Sequence, residues 1–136
     1  MPVIEELIKV EKDGSISFGN YELDTKAKFD NFDVNGDIYK VKTFNEITKL
    51  EENGNFVYES VPGTAVNGFT ADDSSVKFFV EGNDDAQITL GLEADTDYKV
   101  LVDSVVIGNM KTNISGKLSL SVELSGRPVK VEVNRM

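Results

Sequence analysis

The chain has 136 residues and contains neither cysteine nor histidine. Disulfides, thiolate metal sites and a cysteine nucleophile are thereby excluded, as are Ser-His-Asp hydrolysis and imidazole-bound zinc. Its 24 acidic and 14 basic residues give a formal charge of −10, which repels a phosphate backbone, so no nucleic-acid partner is expected.

The length suits one domain spanning 1–136, able to bury roughly 68% of the surface of its unfolded form. A content of 40% apolar and 28% charged residues is globular rather than disordered. The opening Met1-Pro2-Val3-Ile4-Glu5-Glu6 lacks the basic start and apolar core of a signal peptide. No apolar run approaches a membrane span. The chain reads as cytoplasmic, or as secreted if an export signal has been removed.

In chain order, Val3, Ile4, Leu7 and Ile8 have helical spacing, but their β-branched content favours strand. Asp13-Gly14 then separates Ile8 and Val10 from Ile16 and Phe18 as a hairpin turn would. Asn35-Gly36 does the same between Phe32-x-Val34 and Tyr39-x-Val41, and Asn53-Gly54 between Thr48-x-Leu50 and Phe56-x-Tyr58. Asn-Gly suits tight hairpins because both residues tolerate positive φ. Residues 43–51 open with Thr43-Phe44-Asn45-Glu46, which resembles a helix cap, yet strand is again preferred. Ser60-Val61-Pro62-Gly63-Thr64 marks a seam between a first sheet (about 1–60) and a second (about 65–136). Further strands are expected at 75–81, 87–93, 97–103 and 105–111. Leu118, Leu120, Val122 and Leu124 alternate with polar residues, as do Val129, Val131 and Val133, with Ser125-Gly126 between them. That pattern predicts a C-terminal antiparallel hairpin with one buried face. The expected fold is all-β: an antiparallel β-sandwich or two packed sheets joined by hairpins.

Three runs break the alternation: Phe78-Phe79-Val80, Val100-Leu101-Val102 and Val105-Val106-Ile107. Each asks for cover on both faces. The chain's own first half is expected to supply it, with a second subunit as the alternative.

The polar constellations are weak. Asp33-Val34-Asn35-Gly36-Asp37 opens like a calcium loop, but Ile38 stands where its glycine belongs and Phe44 where its bidentate glutamate belongs. Asp72-Asp73, Asp84-Asp85 and Asp95-x-Asp97 read as solvated turns. Glu59, Glu81 and Glu123 lie on or near strands, where a carboxylate can be held rigidly, and nothing else distinguishes them. Tyr21, Tyr39, Tyr58 and Tyr98 could stack on sugars, with core packing the commoner role. Lys40 and Lys42, and Lys26 and Lys28, read as scattered solvated lysines. Asn113-Ile114-Ser115 matches a glycosylation triplet. No catalytic, cofactor-binding or metal-binding residue is nominated.

Tyr39-Lys40-Val41-Lys42-Thr43-Phe44-Asn45-Glu46-Ile47-Thr48-Lys49-Leu50, Val57-Tyr58-Glu59-Ser60-Val61-Pro62-Gly63-Thr64 and Asn113-Ile114-Ser115-Gly116-Lys117-Leu118-Ser119-Leu120-Ser121-Val122 carry a resemblance. Over its whole length the chain resembles a family of small uncharacterised proteins from anaerobic Gram-positive gut bacteria, some of them labelled as an endosialidase chain. Asp97-Tyr98-Lys99-Val100-Leu101-Val102-Asp103, Gly108 and Ser115-Gly116-Lys117-Leu118 also resemble the β-sandwich tail modules of polysaccharide-degrading enzymes. Ser104-Val105 stand where those modules place Gly-Lys. The resemblance implies a sandwich and a carbohydrate setting, and assigns no site residue. The favoured function is a non-enzymatic structural or interaction module that self-associates through a face near Val100 to Ile107. The alternative is a carbohydrate-associated accessory chain or a carboxylate-based glycan hydrolase.

Overall fold

A computed structural model describes residues 3–136, and among them there are thirteen strands and no helix. One sheet runs, in spatial order, β1 (Ile8–Val10), β2 (Ile16–Phe18), β7 (Ala65–Ala71), β8 (Ser75–Glu81), β13 (Val129–Arg135), β10 (Asp97–Val102) and β11 (Val105–Lys111). The other runs β12 (Lys117–Val122), β9 (Ala86–Gly91), β6 (Asn55–Val61), β5 (Ile47–Glu52), β4 (Asp37–Phe44) and β3 (Ala27–Val34). Every pairing is antiparallel. The two sheets pack face to face as a β-sandwich.

The three hairpins expected at Asp13-Gly14, Asn35-Gly36 and Asn53-Gly54 are present. Asn35 and Gly36 hold φ of 53° and 95°, the paired positive values that a two-residue hairpin turn demands. Both segments with competing helix patterns lack helix: residues 3–7 lead irregularly into β1, and 43–51 span the end of β4 and all but the last residue of β5.

Three expectations need correction. The C-terminal strands do not form a hairpin: β12 pairs with β9, while β13 lies between β8 and β10 in the opposite sheet. Both strands point their apolar residues into the same core, which is why their alternation looked alike. The residues between them cross the roughly 10 Å between stacked sheets. The seam at 60–64 does not divide the sheets, since each draws strands from both halves of the chain; it is one of several crossovers. A strand at 65–71 was missed because the ladder slips between Asn67 and Thr70, so Val66 and Phe69 both face inward and break the period of two.

The core is built from both inner faces. Tyr58 of the second sheet meets Phe18 edge-on at 5.2 Å and Phe78 at 5.7 Å, and Phe69 stacks on Phe78 at 5.6 Å. Edge-to-face contacts of this kind add to simple burial. Val41, Leu50, Ile88 and Leu90 oppose Val80, Val100, Val131 and Val133, all at most 1% exposed.

One end of this core is polar and fully paired. Thr43, Thr48, Ser60 and Thr64 are all completely buried. The Thr48 hydroxyl donates to the Thr64 carbonyl at 2.8 Å and accepts the Thr64 amide at 3.0 Å. Its single proton is thus committed, so Thr43, 2.8 Å away, must donate to it. Thr43 in turn accepts the Asn20 amide at 2.9 Å. The Thr64 hydroxyl bonds both the Tyr58 phenol and Ser60 at 2.8 Å. Burial pushes the Tyr58 phenol well above its ordinary pKa. Among the described residues no buried side-chain polar atom lacks a partner. The network pins the crossover into β7, where Gly63 is required because a Cβ would run into the Phe44 carbonyl oxygen.

Candidate functional site

The edge strand β11 is the most exposed apolar element of the sandwich. Val105, Val106 and Ile107 are 63%, 54% and 47% exposed. The expectation that the chain covers this run itself does not hold. Among the described residues the first half of the chain lies elsewhere, and β11 closes its sheet with β10 on one side and no strand on the other. The neighbouring runs are half satisfied. Val100 is fully buried while Leu101 and Val102 are partly so, and Phe78 and Val80 are buried while Phe79 is 45% exposed.

The backbone explains the display. β10 and β11 join through Asp103-Ser104, both with positive φ (50° and 69°). Asp103 anchors the turn by accepting the Lys130 amide at 3.0 Å and the Arg127 guanidinium at 3.0 Å. Those two donors hold its carboxyl below the ordinary carboxylate pKa. Val100 pairs with Gly108 and Leu101 with Val106, so Ile107 is an extra, bulged residue. The bulge turns successive apolar side chains outward. From Val105 to Lys111 the strand bears no acidic residue, in a chain of charge −10.

A second feature is a cleft of about 430 Å³ at the end of the sandwich carrying the Asp13-Gly14 turn. Ile16, Phe69, Val76 and Leu90 floor it, and Asp13, Asp37, Tyr39 and Glu52 stand around it. The Ser15 hydroxyl and amide, at 2.6 and 2.9 Å, hold the Asp13 carboxyl below its ordinary range. Asp37 accepts the Asn53 side-chain amide at 3.1 Å. Burial, reinforced by the Glu52 charge, pushes the Tyr39 phenol up to about 12. Nothing in the sequence grouped these residues, because five separate strand ends and turns bring them together. Among the described residues no group of three acidic side chains is placed to hold a metal ion.

The carboxylates singled out from the sequence do not converge. Glu59 points outward between the buried Tyr58 and Ser60, and Glu123 is exposed beyond β12. Glu81 is buried at the end of β8 and accepts the Tyr21 phenol at 3.2 Å. Burial and then the Glu81 charge push that phenol up to about 12. Asp72 caps its own turn through the Ser74 and Ser75 amides, which hold it below its ordinary pKa. Asp85 accepts the Leu124 amide at 3.1 Å. The calcium-like stretch is a plain hairpin, in which Asp33 accepts the Gly36 amide. Tyr58 and Tyr98 are core residues, and Asn113 is turned onto the amides of Ser115 and Lys117. Among the described residues no helix is long and apolar enough to cross a membrane. Comparison of the chain with protein-family models, curated proteins and solved structures finds no match, so its function is read from this geometry.

Proposed function

We propose that this chain is an interaction module that self-associates through β11. The observation that carries the reading is the apolar triplet Val105-Val106-Ile107, exposed on a sheet edge that lacks any acidic residue. Two copies of a −10 chain repel one another, and an edge strand without carboxylates, whose one charged residue is Lys111, is where that repulsion is least. The other three edges are guarded. β1 has only three residues and carries Lys9, β3 carries Lys28, Asp30 and Asp33, and β12 turns Lys117, Ser119 and Ser121 outward. A two-fold axis beside β11 brings identical triplets together. The bulge at Ile107 interrupts a long inter-chain ladder, so side-chain packing supplies the contact. The patch is smaller than a standard interface, which makes the association weak and concentration-dependent.

Sedimentation velocity from about 5 to about 500 µM tests this, the range in which a sub-standard interface dissociates. The mass should rise from the 15.0 kDa of one chain toward twice that value. Val106→Lys combined with Ile107→Lys should hold it at one chain throughout. A wild type that stays monomeric over the whole range refutes the proposal.

A further inference from the structure

The outer face of the second sheet carries an arrangement that the sequence disguised. Lys28 lies directly opposite Lys42 in the β3–β4 ladder, and Lys42 directly opposite Lys49 in the β4–β5 ladder. Lys40 sits two residues along β4 from Lys42. All of them point outward, since the intervening Val41, Thr43, Thr48 and Leu50 are buried. Lysines that look scattered along the chain therefore form a contiguous row across three strands.

Such a row is costly. Like charges placed directly opposite on adjacent strands destabilise a sheet. Lys42 has a lysine on both sides. Lys49 is partly relieved by Glu51 at 3.6 Å and by the Phe56 ring at 5.9 Å. Neither Lys28 nor Lys42 forms an ion pair among the described residues. Glu51 stands opposite Lys40 and Glu59 opposite Lys49, so carboxylates temper the ends of the array, but Lys28, Lys42 and Lys49 follow one another on adjacent strands with no carboxylate between them.

The same register continues beyond the lysines. Lys49 is followed across the sheet by Glu59, Thr89 and Ser119. Thr89 and Ser119 are hydrogen-bonded at 3.0 Å, and Ser121 donates to Gln87 at 2.8 Å one step along the strands. The face thus passes from ammonium groups to a strip of hydroxyls, an amide and one carboxylate, over about 24 Å for six strands.

We propose that this face binds a linear polysaccharide bearing carboxylates. The ammonium row takes the carboxylates, and Glu59, Thr89, Ser119, Gln87 and Ser121 exchange hydrogen bonds with sugar hydroxyls. Phosphate polymers fit less well. The row has no arginine to engage a phosphate through two bonds, and the Phe56 ring beside Lys49 is already taken up by the ammonium groups of Lys49 and Lys117, at 5.9 and 4.6 Å, rather than left free to stack a base. An acidic peptide would leave the hydroxyl strip unused. The site lies on the opposite sheet from β11 and is independent of self-association.

The test is titration of the full chain with polygalacturonate at low salt, with dextran, poly-glutamate and single-stranded DNA as comparison polymers. Two triple variants are compared: Lys28→Gln/Lys42→Gln/Lys49→Gln on this face, and Lys9→Gln/Lys77→Gln/Lys99→Gln on the other sheet and away from β11, which has the same net charge. Polygalacturonate should bind the wild type and the second variant equally, and the first about tenfold or more weakly. Dextran, poly-glutamate and DNA should bind at least about tenfold more weakly than polygalacturonate. The melting temperature of Lys42→Gln should equal or exceed that of the wild type, since a like-charge clash is removed. Absence of polygalacturonate binding, equal loss in both triple variants, poly-glutamate or DNA binding as tightly, or a lowered melting temperature for Lys42→Gln would each overturn the assignment.

Discussion

Replacing Thr48 by valine tests whether the buried hydroxyl network holds the sandwich together. The substitution keeps the shape and removes one oxygen. That oxygen serves three partners: the Thr64 carbonyl and amide and the Thr43 hydroxyl. All three groups belong to residues with no exposure to water. Each buried donor left unpaired costs about 1–3 kcal/mol, and a stranded carbonyl less, because it has a second lone pair to re-satisfy. Two orphaned donors and one carbonyl sum to about 3–5 kcal/mol, reduced slightly by the added methyl. A domain of this size has about 5–15 kcal/mol in total, so the variant should remain folded but lose a large share. In a urea titration with a slope of about 2 kcal/mol/M the midpoint should fall by about 2 M at unchanged slope. Ser60→Ala is the internal control. Ser60 makes one bond to the Thr64 hydroxyl, which keeps the Tyr58 phenol as a partner, so its cost should be about 1 kcal/mol. A Thr48→Val loss no larger than that of Ser60→Ala would refute the hydrogen-bond accounting.

Two further outcomes follow from the backbone and the turns. Gly63→Ala should destabilise far more than Gly36→Ala, as read by thermal unfolding. The first places a Cβ against the Phe44 carbonyl, whereas the second meets nothing and pays only for a positive φ, about 1 kcal/mol. Asp103 has a folded pKa below its unfolded value of 3.8, so its contribution is present above that value and disappears as pH falls through the folded pKa. Asp103→Asn should therefore lower the melting temperature near neutrality and lose less than the wild type between about pH 5 and about pH 3; equal acid sensitivity of the two proteins would contradict the anchoring role.

Much of the strand inventory was legible because hairpin turns announce themselves chemically. Asn35-Gly36 and Asn53-Gly54 are nearly forced to reverse the chain, and period-two alternation on either side names the inward residues. Alternation names a face, however, and not a neighbour. Leu118–Leu124 and Val129–Val133 both face one core, and no local feature of Ser125-Gly126 distinguishes a tight return from a crossing between sheets. β7 was hidden for a related reason: its irregularity at Asn67-Gly68 cancels the period that would have revealed it. The lysine row was invisible because its members are separated by 14 and 7 residues in sequence and meet only through ladder register. The cleft carboxylates were unreadable for the same cause, being gathered from turns that are adjacent only after folding. The apolar run 105–107 was plain in the sequence, and only its expected cover was wrong.

That last error bears on what β11 is for. A residue that contributes to folding is one whose removal exposes or strands something else. Val105, Val106 and Ile107 contribute little in this sense, because each already keeps about half or more of its surface in water. The core beneath β10 closes without them: Val100 is fully buried against Val131 and Val133, and Tyr98 is buried with its phenol accepting the Glu93 amide. Lysines at 106 and 107 should therefore leave the unfolding midpoint within about 0.5 kcal/mol of the wild type in dilute solution, the usual range for surface positions. If they abolish association while the fold keeps its stability, the triplet serves contact between molecules. If instead they unfold the protein at concentrations where it is monomeric, β11 is part of the core, and the reading of this edge as an interface fails with it.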